Sequence, residues 1–506
     1  MDLSTLLRCT TRSFPDHELL RYQGQCLRYP EFLRLSRQAA RVLAQHGVGA
    51  GDRVALICRN TPGFLLAAYG AWQLGAVVVP VNHKLQAPEV DYILQHARVR
   101  LCIVDGTLAP LATQLCTPIT ALWTDTPAEA LASFDALVEA APPLPDGPPP
   151  GADSPAQLLY TSGTTGKPKG CLHSHRNVVM QALACCTSLS IGHDTRMLVA
   201  MPIWHASPLN NWTLATLAAG GTVVLLREYQ PRAFLEIIEA ERTTMTFAAP
   251  VALLAPLHSV PDFQRFDLSS MKLWIYGGGP LGREMAEKLI AAYGSERFVQ
   301  VYGMTETGPL GTALYPQDAL RKAGSIGRAS TVTVQLRVVD PQDRPLDGPG
   351  VGEIQLRSEA MMQGYLDDPE ATARAFTDDG WYRSGDLARV DEEGFMFIVD
   401  RAKDMIITGG ENVYSKEVED ALAPHPAVQD AAVIGRPHPE WGETVIAFVV
   451  LRPGQSADAQ ALAGHLAPRL ARYKIPREFH FCEALPRTPT GKIMKHQLRQ
   501  QLAGGA

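Results

Sequence analysis

Ten residues, Thr161, Ser162, Gly163, Thr164, Thr165, Gly166, Lys167, Pro168, Lys169 and Gly170, hold four hydroxyls, three glycines and two lysines. Glycines let a backbone approach an anion closely, and hydroxyls and N–H groups donate to phosphate oxygens. The lysines supply positive charge. This is the composition of a phosphate cradle, although not of a Walker loop, which needs four residues between its glycines and Lys-Ser/Thr opening a helix. Here two residues separate Gly163 from Gly166, and Pro168 follows Lys167. A solvated polar turn is the bland reading; the ordered run of residue types argues against it.

Five further segments fall in order down the chain: Gly277-Gly278-Gly279-Pro280, Tyr302-Gly303-Met304-Thr305-Glu306, Tyr382-Arg383-Ser384-Gly385-Asp386-Leu387, Asp400-Arg401-Ala402-Lys403-Asp404 and Pro489-Thr490-Gly491-Lys492-Ile493. Alone, each would pass for a turn or a solvated charge. With the phosphate loop they make a pattern that resembles the adenylate-forming superfamily: acyl-CoA synthetases, peptide-synthetase adenylation domains and beetle luciferases. The resemblance runs from about residue 20 to residue 495 and is nearest in pattern to AMP-forming acyl-CoA synthetases.

That resemblance implies ATP, Mg²⁺ and coenzyme A, and it implies a role for each segment. Gly277, Gly278 and Gly279 would run along the adenine plane. Tyr302 would give adenine a stacking face, with Gly303 and Met304 beside it. Thr305 would donate to the α-phosphate. Glu306 would be the Mg²⁺ ligand, since Mg²⁺ takes hard oxygen donors and uses one or two carboxylates. Asp386 would accept from the ribose hydroxyls, and Arg401 would lie near the ribose and phosphates. Lys403 matches the pivot of a mobile lid. Gly409, in Met405–Tyr414, would leave room for the pantetheine arm. Ser415 stands where the family often has proline, which loosens the rigidity expected of that loop. Lys492 would stabilise charge shifting onto the α-phosphate and pyrophosphate. Thr165, Glu306, His205 and Lys492 are the expected catalytic residues.

The acyl pocket would begin at Met201-Pro202-Ile203-Trp204-His205-Ala206-Ser207-Pro208, with His205 at a gating position. Further pocket candidates are Asn210, Asn211, Phe247, Val251, Gly279, Met304 and Leu310. Asn210 and Asn211 either meet a polar or ring-substituted acid or only bond backbone. Amino-acid-activating relatives place an aspartate near Ala206; no acidic residue occurs between Met201 and Arg227. An α-amino acid substrate is therefore disfavoured. The expected acceptor is coenzyme A, the alternative an acyl carrier protein. A non-catalytic nucleotide-binding homologue is the competing class, and a homodimer is implied by resemblance alone.

Composition fits this picture. The chain has 506 residues, 46% apolar and 19% charged, with net charge −6. That excludes global disorder and gives no reason to expect nucleic-acid binding. Nine scattered cysteines without a C-x-x-C pair suggest a reduced, cytoplasmic setting. The N-terminus lacks a signal-peptide apolar core, and no membrane span is expected: the longest apolar stretch, Gly63–Pro80, reads as a buried helix running into a strand. Alternating helix and strand patterns (helices Leu33–His46 and Phe64–Leu74; strands Arg53–Ile57, Val77–Val79 and Leu101–Val104) predict an α/β fold with largely parallel sheet. Seven prolines in Pro142–Pro155 form an extended connector to a second α/β stretch. A β-rich subdomain follows (strands Val332–Val339, Gly352–Arg357 and Phe395–Val399). The end is a small α+β lid with helices Lys416–Leu422 and Ala457–Leu470 and strands Val428–Ile434 and Thr444–Val450. The expected domains are residues 1–402, AMP-binding, and 403–506, the mobile lid.

Overall fold

The computed structural model describes residues 1–504 except 126–132, 146, 162–167, 280, 403, 409–410, 488–490 and 492. The chain divides into two compact units: Met1–Leu336 with Leu356–Arg383, and Arg337–Gln355 with Ser384–Ala506. The second unit thus takes up chain well before residue 402.

The first unit is layered α/β. One of its sheets has seven strands, with a parallel run formed by Pro155–Thr161, Val77–Pro80, Arg53–Ile57, Leu101–Asp105 and Ala121–Thr124. Strands buried on both faces read as continuous apolar runs, which is how Val77–Val79 was legible. The second sheet has nine strands, and six of them are parallel neighbours: Phe298–Tyr302, Leu273–Gly277, Met245–Ala248, Arg196–Val199, Thr222–Leu225 and Glu18–Tyr22. The apolar stretch from Gly63 is the helix Pro62–Gln73, buried from Gly63 through Trp72. A Cβ at Gly70 would lie 2.9 Å from the backbone nitrogen of Ala40, so glycine lets this helix press against Tyr29–Gln45. Trp72 Nε1 donates to the carbonyl of Ala156, 2.8 Å away.

Most of a four-stranded sheet belongs to the second unit, in the order Val334–Val339, Gly350–Ser358, Tyr382–Val390, Met396–Arg401. Its third strand was not foreseen, because Gly385 interrupts the strand pattern; that glycine adopts φ +69°. A second sheet pairs Val428–His438 with Gly442–Leu451, covered by the helices Ser415–Leu422 and Ala459–Leu466. The expected helix Ala457–Leu470 is therefore shorter at both ends. The helix Leu3–Ser13, capped by the Asp2 carboxylate, was also not anticipated. No described helix is long and apolar enough to cross a membrane.

Candidate active site

The phosphate loop joins two antiparallel strands, Pro155–Thr161 and Lys169–Ser174, whose register pairs Thr161 with Lys169 and Leu159 with Cys171. Ser162, Gly163, Thr164, Thr165, Gly166 and Lys167 lie outside the described residues; Thr161 and Pro168 are the described residues on either side, with Lys169 next. A short strand, Gly364–Tyr365, adds to the outer edge and sets Tyr365 opposite Cys171.

That register builds a charged cluster. The Tyr365 hydroxyl donates to Glu306 Oε1 at 3.1 Å. Lys169 Nζ lies 4.9 Å from the centre of the Tyr365 ring, a cation–π distance. Burial, then the Glu306 charge, pushes the phenols of Tyr365 and Tyr382 up, so both stay protonated donors. The same causes raise the Cys171 thiol. Met304 packs against the buried group Cys171, Met361, Met362 and Tyr382. The Glu306 carbonyl accepts from the Met362 N–H at 2.8 Å, which fixes the 305–307 turn. Burial pulls the His173 imidazole down to about 4, opposed by the nearby Thr305 backbone. Sequence reasoning missed Tyr365, Tyr382 and His173 as contributors here.

Tyr302 ends its strand, and Gly303 is held where a Cβ would come within 2.6 Å of the Leu310 nitrogen. Gly277 has the Val301 carbonyl 2.8 Å, and the Phe247 ring 3.3 Å, from a Cβ position. Phe247 in turn stacks on Trp212, centroids 5.3 Å apart at 22°. Gly278 adopts φ +82°, and a Cβ on Gly279 would meet nothing within 4 Å. Leu310 is fully buried, whereas Val251 is 74% exposed on the helix Pro250–Ser259.

The segment from Met201 is shaped by Asn60, another residue that sequence reasoning missed. Its Nδ2 donates to the carbonyls of Val199, Met201 and Leu226, and its Oδ1 accepts from the Ile203 N–H at 2.8 Å. His205 follows, with its ring 3.9 Å from that of Trp204. Ser207–Leu214 then forms a π-helix, a rare geometry that recurs at functional sites. It buries both asparagines. Asn210 Oδ1 accepts from Gln157 Nε2 at 3.0 Å, Asn211 Oδ1 accepts from Gln181 Nε2 at 2.8 Å, and Asn211 Nδ2 donates to the Pro309 carbonyl at 2.9 Å. These contacts are with the protein's own interior, one of them with backbone.

In the second unit, Asp386 and Arg401 are cross-strand partners. Arg401 Nη1 donates to Asp386 Oδ1 at 2.7 Å, with the carboxylate largely buried and the guanidinium half exposed. Lys403, Gly409 and Lys492 lie outside the described residues.

A family model described as "AMP-binding enzyme" matches residues 7–366, and one described as "AMP-binding enzyme C-terminal domain" matches residues 417–492. A long-chain-fatty-acid–CoA ligase of Mycobacterium tuberculosis is 37% identical over 485 residues, 94% of this chain and 92% of its own. A feruloyl-CoA synthase of an Amycolatopsis species is 37% identical over 494 residues, 97% of each chain. Among solved structures, ATP-bound MatB from Rhodopseudomonas palustris superposes with a TM-score of 0.87 at 30% identity, covering 99% of each chain.

Proposed function

Because the chain belongs to the AMP-binding enzyme family, we infer the part each residue plays from the chemistry its reaction requires. The protein is an AMP-forming acid–CoA ligase that uses ATP, Mg²⁺ and coenzyme A. In the first step a carboxylate oxygen of the acid attacks the α-phosphorus of ATP and pyrophosphate leaves. In the second the CoA thiol sulfur attacks the acyl carbon, the thiol proton is lost and AMP leaves.

The carboxylate is already a nucleophile at neutral pH, so the first step needs positioning and charge neutralisation more than a base. Thr161 through Lys169 hold the triphosphate. Glu306 fits Mg²⁺: a carboxylate has about four lone-pair sites, and Tyr365 occupies one. When bound, that ion neutralises phosphate charge. Asp386, oriented by the Arg401 guanidinium, receives the ribose hydroxyls. Lys492 meets the charge developing on the phosphates. The lid then turns about Lys403, withdrawing Lys492 and presenting Gly409 to the thiol; residues 403–506 move against 1–402. The observation that carries this assignment is the Lys169–Tyr365–Glu306 cluster at the mouth of the phosphate loop.

For the acid, the stacked Trp212 and Phe247 beside Gly277 favour an apolar monocarboxylate, aryl or fatty. Asn211 is engaged within the protein through both its oxygen and its nitrogen, which leaves it poorly placed to read a substrate ammonium. Nine free cysteines suit a reducing cytoplasm.

ATP–pyrophosphate exchange driven by ferulate, indole-3-acetate and dodecanoate tests the first step. Thioester formation with CoA or with an acyl carrier protein then tests the acceptor. We expect exchange with at least one acid and a preference for CoA. No exchange with any acid would defeat the assignment, and faster transfer to the carrier protein would reverse the acceptor.

A further inference from the structure

Asp400, Ser415 and Lys495 come from three separate parts of the second unit and meet in its interior. Ser415 is fully buried and Asp400 is 6% exposed. The Ser415 N–H donates to Asp400 Oδ2 at 2.5 Å, and its hydroxyl donates to Oδ1 at 3.0 Å. Lys495 Nζ donates to Ser415 Oγ at 2.5 Å and pairs with Glu419 at 2.8 Å. One turn further along the same helix, Arg499 pairs with Asp404 at 2.9 Å. This helix therefore fastens both ends of the 400–404 turn, one through Ser415 and one directly. A proline at 415 would have no N–H to give Asp400. The serine does not loosen the loop, as its departure from the family pattern suggested; it replaces a stiff ring with a set of breakable bonds.

Chain order supplies the consequence. Lys403 lies between Asp400 and its partners. Asp400 is fixed by strand pairing to Leu387, upstream of the pivot. Ser415, Glu419 and Lys495 are downstream. Rotation about Lys403 carries them away from Asp400, and hydrogen bonds do not survive separations much beyond about 3.5 Å. We propose that Asp400, Ser415 and Lys495 form a latch across the pivot, closed in one of the lid's two poses and open in the other, with Ser415 the positioning residue that sets the balance between the two half-reactions. The proposal rests on the two-pose reading of the ligase reaction. Burial, opposed by Lys495, raises the Asp400 carboxyl, so an opened latch would expose a group that its closed state penalises.

The test uses full-length Ser415→Ala and Lys495→Met. Three quantities are measured: ATP–pyrophosphate exchange with ferulate or dodecanoate, CoA thioester formation from the corresponding synthetic acyl-adenylate, and the rate of trypsin cleavage after Arg401 or Lys403. Losing about one net hydrogen bond shifts a two-pose balance roughly fivefold. We therefore expect the ratio of the half-reaction rates to change about fivefold, one rising as the other falls. Cleavage at 401–403 should quicken several-fold while the melting temperature holds. Should Ser415→Ala fold poorly, Lys495→Met carries the same expectation. Equal losses in both half-reactions, or unchanged cleavage in a folded variant, would overturn the latch. Absence of exchange with every acid in the wild-type enzyme would defeat the ligase assignment instead, and the cleavage result would still decide whether the latch exists.

Discussion

Replacing Tyr365 by phenylalanine isolates one contact of the candidate active site. The ring remains, so the Lys169 ammonium keeps its face at 4.9 Å. Only the hydroxyl that donates to Glu306 at 3.1 Å is lost. Hydrogen bonds to charged groups contribute about 1.5–3 kcal/mol. Glu306 is half-buried, so water can take part of the donor's place, which argues for the lower end. About 1.5 kcal/mol is roughly tenfold. The expected result is a roughly tenfold fall in kcat/KM for MgATP in ATP–pyrophosphate exchange, with a higher Mg²⁺ concentration needed for half-maximal rate. Thioester formation from supplied acyl-adenylate should stay within about twofold, because that step no longer involves the triphosphate. A change below twofold in exchange, or equal losses in both half-reactions, would refute the placing of Glu306 at the triphosphate.

Lys492→Ala should slow adenylate formation by roughly 100-fold, the scale for losing one transition-state donor, and spare thioester formation from acyl-adenylate; paired half-reaction kinetics checks this. Asn60→Ala removes partners from several buried backbone groups at about 1 kcal/mol each, so the urea midpoint should correspond to a loss of roughly 3 kcal/mol, with KM for the acid rising. His173 and His175 are both pulled down to about 4 by burial, from an ordinary value of 6.5. A folded-state value below the unfolded one means that the unfolded chain binds more protons as pH falls. Stability is then fully present above about pH 6.5 and is lost down to about pH 4. Between about pH 6.5 and 5.5 the loss should be roughly 1 kcal/mol per histidine, read from urea midpoints, and His173→Asn should remove about half of it.

The chemistry was legible where it is local. The phosphate loop, Tyr302–Glu306 and the Asp386 and Arg401 segments are short runs in which residue type and order carry the meaning. Long buried strands were legible for a similar reason, since β-branched runs such as Val77–Val79 have few other uses. What holds these groups in place was not. Tyr365 reaches Glu306 only because Gly364 pairs with Leu172. Asn60 reaches Ile203 across 143 residues of sequence. Neither partnership leaves a trace in spacing. The π-helix Ser207–Leu214 was hidden too, because its apolar residues fit a buried helix of any pitch.

The same distinction governs Ser415. Read locally, serine in place of proline is a loss of backbone restraint, because proline fixes φ and serine does not. Read with its partners, the substitution adds two donors aimed at one buried carboxylate and an acceptor for Lys495. Rigidity supplied by a ring is present in every pose of the chain. Rigidity supplied by Asp400 is present only while Asp400 is within reach. A hinge that must adopt two poses gains from the second kind, since a bond that exists in one pose alone biases their populations, whereas a restraint present in both biases nothing. Under the proposed latch, the departure at residue 415 is thus a change in how the loop is restrained, from unconditional to conditional on the pose of the lid.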